Sequence, residues 1–274
     1  MTFFMTQLKR VSWRWLAFGL LAYVVFLVLT FPAARVYVYW KAQDDAPAGL
    51  ALAGISGSVW NGRADMAVID GQRFQAVTWQ LHPWAILTGR VAADWSLKVD
   101  DGFGRGEAAA GLGGGLTLDA VEAKLPIAQL PGRTLAALRP SGTLNLNLRD
   151  VEWDGAALVS ATGRLVWSGA GVNLIQDLAL GDLALDLETT DGEVKGVLAD
   201  AGGPLEATGL LTLKADGSYE FTASLAARGN DPKLLQALRT LGRVGPDGKV
   251  QVTNKGTMAS LGLAPSAPAP ESGD

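Results

Sequence analysis

No cysteine occurs among the 274 residues, and histidine occurs once, at His82. The absence of cysteine excludes disulfides, thiolate zinc sites and cysteine nucleophiles. A lone imidazole leaves no histidine pair for a metal. A histidine-dependent triad would have to use His82 itself, which stands before Pro83 at a strand end where a structural role is expected. Charge is scarce as well, at 18% of residues against about 25% in an ordinary soluble domain. Lys9, Arg10, Arg14 and Arg35 are the only charged residues in the first forty, so that segment carries +4. With −4 overall, the remainder carries −8. An acidic body without clustered Lys and Arg argues against nucleic acid as a partner.

Other chemistry-bearing patterns are thin. Gly102-Phe103-Gly104-Arg105-Gly106 has the look of a phosphate loop, but the glycine- and alanine-rich residues after it form no stable helix to receive a phosphate. Gly104 to Gly115 as a whole is weakly specified. Asp44-Asp45 and Asp100-Asp101 are adjacent pairs, and neighbours on an extended chain point to opposite sides. Dispersed Asp and Glu offer no pair for glycoside chemistry. The expectation is therefore no catalytic residue, no cofactor and no metal.

What the chain does contain is apolar residues arranged in two ways. Residues 1–14 are short and basic. Trp15 to Ala34 is a run of twenty residues without a charge, long enough as a helix to cross a bilayer core of about 30 Å. Trp13 and Trp15 flank one end, and Tyr37, Tyr39 and Trp40 the other, in the manner of interfacial belts. This predicts one transmembrane helix with its interface belt over 15–40, a cytoplasmic N-terminus and everything after it outside the inner membrane; the competing reading is a cleaved signal peptide, with small residues at Pro32-Ala33-Ala34 near a cut. Residues 41–51 read as a linker.

From about Leu52 the pattern changes to alternation. Ser56 to Pro83 reads as three strands joined at Asn61-Gly62 and Asp70-Gly71. Val77, Trp79 and Leu81 point one way in its third strand, Thr78 and Gln80 the other. Val91 to Val99 and Leu144 to Leu148 repeat that grammar. Seven Asn-Gly or Asp-Gly pairs divide the body, the remaining five at Asp101, Asp154, Asp191, Asp216 and Asp247, as antiparallel hairpins require. The predicted fold class is mainly β, an antiparallel twisted meander of hairpins. Two similar halves are expected, 52–124 and 141–263, joined by the Pro/Leu-rich connection 125–140. Ser56 to Gly62 and Thr162 to Gly169 share a small-Gly start and a Trp-x-Gly end. One helix is expected at 232–242, capped by Asn230 or Asp231, with Pro232 in its first turn and Gly242 after it. Residues 264–274, rich in Pro, Ala and Ser, read as a disordered tail. The body tryptophans, Trp60, Trp79, Trp84, Trp95, Trp153 and Trp167, read as packing residues. As a sheet of this kind has one greasy face, that face needs cover from the rest of the domain, a lipid or another protein.

The segment Gly57-x-Val59-Trp60-x-Gly62, followed by Trp79-x-Leu81-x-Pro83, resembles the type II secretion system protein N family (general secretion pathway protein N). The order of N-terminal apolar segment, this motif, a Leu/Pro-rich break and a late leucine helix carries the likeness over nearly the whole chain. The loose Gly104–Gly115 region and the Pro-rich tail depart from it. The resemblance implies an accessory, non-enzymatic inner-membrane component of the machine that exports folded proteins from the periplasm. It implies partners in that machine, the inner-membrane platform and the secretin, and it marks Gly57, Val59, Trp60, Gly62, Trp79, Leu81 and Pro83 as structural or partner-contact positions. The competing reading is a membrane-anchored periplasmic lipid-binding or lipid-transfer protein of AsmA-like type.

Overall fold

The computed structural model describes residues 13–42, 50–69, 72–111, 114–129, 139–155, 157–173, 177–229, 231–242 and 244–258. Its N-terminal apolar segment is two helices, α1 (Trp13–Leu29) and α2 (Ala33–Ala42), in place of the single helix expected over 15–40. Pro32 accounts for the break: it has no N–H to donate, and it drives Phe31 out of the helical region. Among the described residues no helix is long and apolar enough to cross a membrane.

Everything after α2 is organised by one antiparallel sheet. Its first part comprises β1 (Leu50–Ala53), β2 (Ser56–Gly57), β3 (Asn61–Ile69), β4 (Gln72–Leu81), β5 (Arg90–Val99), β6 (Gly102–Gly111) and β7 (Leu116–Pro126). Its second part comprises β8 (Pro140–Trp153), β9 (Leu158–Asn173), β10 (Asp177–Thr190), β11 (Glu193–Asp200), β12 (Leu205–Leu213), β13 (Ser218–Ala227) and β14 (Val250–Thr257). From β3 onward each strand pairs with the next in sequence, β1 lies outside β3, and β2 pairs only with β3. The order runs from β1 at one edge to β14 at the other, so the sheet is open. Strands β7 and β8 pair from Leu116↔Trp153 to Pro126↔Thr143. The Leu/Pro-rich stretch is thus a connection between neighbouring strands, and the sheet is continuous across it.

The turns show which Gly dipeptides act as predicted. Asp191-Gly192 is a two-residue hairpin, both residues at positive φ, between the paired Thr190 and Glu193. Asn61-Gly62 is no turn. Both residues lie in β3, paired with Gln80 and Trp79, and the chain reverses at residues 58–60. Asp70-Gly71 lies outside the described residues. Gly104 to Gly111, expected to be weakly specified, is part of the regular strand β6, held by ten successive pairs to β5. Its small residues are accepted because neighbours lean over them: a Cβ on Gly104 would stand 3.2 Å from the Trp95 ring.

Alternation gives the sheet two unlike faces. One carries Trp79, Trp95, Leu97, Val121, Leu146, Leu165, Leu185, Leu198, Leu211 and Phe221, which meet strand by strand through the register. The other carries cross-strand ion pairs such as Arg105–Glu122, Arg164–Asp186 and Lys255–Glu220, each exposed and individually weak. Toward the C-terminus the sheet curls with its apolar face inside. Val151 and Trp153 of β8 pack in one cluster with Ala161, Val194, Leu213, Tyr219 and Met258. A second cluster lies under α4 (Pro232–Leu241), whose Leu234 and Leu238 cover Leu205, Ala207 and Val250. Asp231 caps α4, accepting from the N–H groups of Lys233 and Leu234. Toward the N-terminus Trp79, Trp95 and Leu97 on the same face are only half-buried.

Candidate functional site

The motif residues converge where the N-terminal helices meet the sheet. Helix α1 ends with carbonyls that no helical N–H can reach. The Trp60 indole Nε1–H donates to Val28 O at 2.7 Å, and the Val59 N–H donates to Phe31 O at 3.0 Å. Pro32 forms an isolated antiparallel bridge with Ser58. On the sheet side the Trp79 Nε1–H donates to Val59 O at 2.9 Å, and the Leu81 N–H to Trp60 O at 2.7 Å. Trp60 therefore bonds α1 with one polar group and β4 with another, and Val59 does the same between the α1–α2 connection and β4. A further tie comes from α2, whose Tyr37 hydroxyl accepts from the Leu52 N–H at 2.9 Å.

Both motif glycines follow from that joint. Gly57 has φ +84, and a Cβ there would meet Asn61 O at 2.5 Å. Gly62 faces Trp79, and a Cβ on it would stand 2.3 Å from the Trp79 ring. The Trp79 indole lies on a strand position that only glycine can fill. Six of the seven motif positions, Gly57, Val59, Trp60, Gly62, Trp79 and Leu81, thus belong to one structure. Pro83 stands beside it, opening the short helix α3 (Pro83–Ile86) that follows β4.

His82 lies between the joint and α3. Its Nε2 is 2.9 Å from Asp94 Oδ2 on β5, with both side chains nearly half exposed. This is a surface tie across the start of β5, with no nucleophile attached. Among the described residues no three His, Cys, Asp or Glu side chains are grouped to hold a metal ion. A more enclosed carboxylate lies elsewhere. Asp200, 11% exposed, accepts from Arg228 Nη2 at 2.7 Å and from the N–H groups of Gly202 and Ala207. The Arg228 guanidinium, with those two amides, holds its carboxyl below the usual carboxylate range against the opposing effect of burial. Lys249 is raised by its hydrogen bond to Glu206. Sequence reasoning missed the Tyr37–Leu52, His82–Asp94 and Asp200–Arg228 ties, because each depends on a fold-defined approach between residues with no shared motif.

Residues 48–253 match the family model for Type II secretion system (T2SS), protein N. The chain is similar to a Type II secretion system protein N of Aeromonas hydrophila, 27% identical over 241 residues that cover 85% of this chain and 92% of that protein. It is likewise similar to a Type II secretion system protein N of Vibrio cholerae serotype O1, 27% identical over 201 residues, or 69% of this chain and 77% of that one. No solved structure matches it. The matched range opens just before β1 and closes within β14, so it takes in Gly57 to Pro83 and nearly the whole sheet: the chain belongs to the type II secretion system protein N family.

Proposed function

We propose that this component of the type II secretion machinery is a non-catalytic periplasmic scaffold, anchored in the inner membrane through α1 with its N-terminus in the cytoplasm. The observation that carries the reading is the joint. A family motif is used to tie an apolar helix rigidly to one end of an open sheet. The side chains of α1 from Trp15 to Leu29 that are large and apolar are exposed, so nothing in the sheet covers that helix. Apolar surface of this extent calls for a lipid phase, and the basic residues that precede it fit the cytoplasmic side.

The open sheet supplies the scaffold surface. Strand β14 has β13 on one side. On its other side the described residues supply one bridge, Val244 to Val250. An edge of this kind can accept a strand from the inner-membrane platform or the secretin. Site-specific photo-crosslinking from the β14 edge in intact membranes, followed by co-purification, tests this. Crosslinks to either secretion component support the scaffold. A chain recovered alone, in cells whose secretion is unchanged by its deletion, refutes it.

The half-buried apolar face from β4 to β9 favours a second reading, that the sheet holds phospholipid acyl chains along that face. Native mass spectrometry of the full chain released from nanodiscs distinguishes the two. Retained phospholipid supports the lipid reading, and a lipid-free chain rejects it.

A further inference from the structure

Several of the most exposed apolar side chains of the sheet region fall in one short segment. In α3 and the turn after it, Trp84 is 80% exposed and Leu87 78%; Ile86 and Val91 are each 48% exposed. These residues form a continuous stretch at one end of β4 and β5, where water would be a poor neighbour. We propose that Trp84–Val91 is a second membrane contact, lying at the headgroup–acyl boundary of the bilayer that holds α1. The proposal rests on the anchoring of α1 given above.

Three observations select the bilayer as the occupant. The first is position. Leu81 N–H donates to Trp60 O, and Trp60 Nε1–H donates to the last turn of α1, so one tryptophan separates the end of β4 from the end of the apolar helix. Helix α3 starts two residues beyond Leu81. The second is chemistry. Residues 82–91 contain His82 and Arg90 and no acid, although the body of the protein is acidic. A tryptophan, three large aliphatic side chains and an arginine that can reach phosphate suit an anionic interface. The third is a second exposed apolar group tied to the same joint. Helix α2 presents Val38 and Tyr39, 68% and 67% exposed, from the same joint. Apolar contacts from both α2 and α3 would fix the tilt of the sheet on the membrane.

The absence of cysteine makes the test direct. Leu87→Cys, Phe18→Cys on α1 and Asp101→Cys on the β5–β6 turn each accept one environment-sensitive fluorophore. The labelled full chains are placed in nanodiscs of phosphatidylcholine and phosphatidylglycerol, with acyl chains brominated at shallow or deep positions. The label at 87 is expected to be quenched by shallow bromines, at about 5–10 Å into the boundary region. The label at 18, about 5 Å inside the Trp15 end of the helix, should be quenched by shallow bromines of the opposite leaflet, and the label at 101 by neither set. An unquenched label at 87 beside a quenched label at 18 overturns the membrane contact and leaves the anchor standing. An unquenched label at 18 overturns the anchor and the proposal with it. A label at 87 that is shielded from aqueous iodide yet insensitive to brominated lipid reveals a protein cover, which also overturns the proposal.

Discussion

Replacing Gly62 by alanine should loosen the joint between helix and sheet by a calculable amount. The added Cβ would lie 2.3 Å from Trp79 Cζ2, 2.6 Å from Cε2 and 2.8 Å from the backbone oxygen of Ser58. Carbon atoms pack at about 3.5–4.0 Å, so the ring must retreat by more than about 1 Å. It cannot do so freely, because Nε1 is held 2.9 Å from Val59 O, and a displacement of that size takes the bond past about 3.5 Å. Overpacking costs about 1–3 kcal/mol and the lost hydrogen bond about 0.5–1.5 kcal/mol, together about 2–4 kcal/mol. Urea unfolding of the full chain in detergent, followed by far-ultraviolet circular dichroism, should show a lower midpoint with an unchanged slope. A cycle with Trp79→Ala checks the cause. With the ring gone, Gly62→Ala should cost less than about 1 kcal/mol. A Gly62→Ala chain within about 0.5 kcal/mol of the parent, or strictly additive effects in the cycle, would refute the argument.

Three further outcomes follow from other parts of the fold. Leu234→Ala removes a side chain that is 2% exposed beneath α4 and should destabilise the C-terminal part of the sheet by about 2–5 kcal/mol, seen as a lower urea midpoint. Asp231→Ala removes the α4 cap and should cost about 0.5–2 kcal/mol, with faster amide exchange at Lys233 and Leu234. Asp200 has a folded pKa below its unfolded value, so its contribution is present above the unfolded value and is lost as pH falls through the folded one. The stability difference between the parent and Asp200→Asn should therefore be constant near neutral pH and narrow below about pH 4. A gap that widens on acidification would contradict the pairing with Arg228.

Particular elements show how far the sequence reaches. The late helix was legible because Asp231, Pro232, four leucines at helical spacing and Gly242 all specify the same thing locally. The two-faced sheet was legible for the same reason: alternation is written into each strand and is not altered by where the strand ends up. Asp191-Gly192 behaved as its backbone preferences demand. Asn61-Gly62 did not, because Gly62 is required under the Trp79 ring, and a tertiary contact overrode a turn preference. Strand β6 illustrates the converse. Its glycines have little strand preference of their own, and Trp95, Leu97 and Val121 from neighbouring strands supply the packing they lack.

The sequence by itself therefore determined the mainly β class, the apolar face, the capped helix and the family, since each rests on short-range pattern. It also marked the motif residues. Only the tertiary structure decided what they do. Trp60 grips the last turn of α1 through Val28 O, Val59 holds Phe31 just after it, and Trp79 needs the glycine opposite it. Among the described residues β1 and β14 do not pair, so the meander stays open. Those outcomes depend on which backbone groups are left unsatisfied once the elements are placed, and no local pattern carries that information.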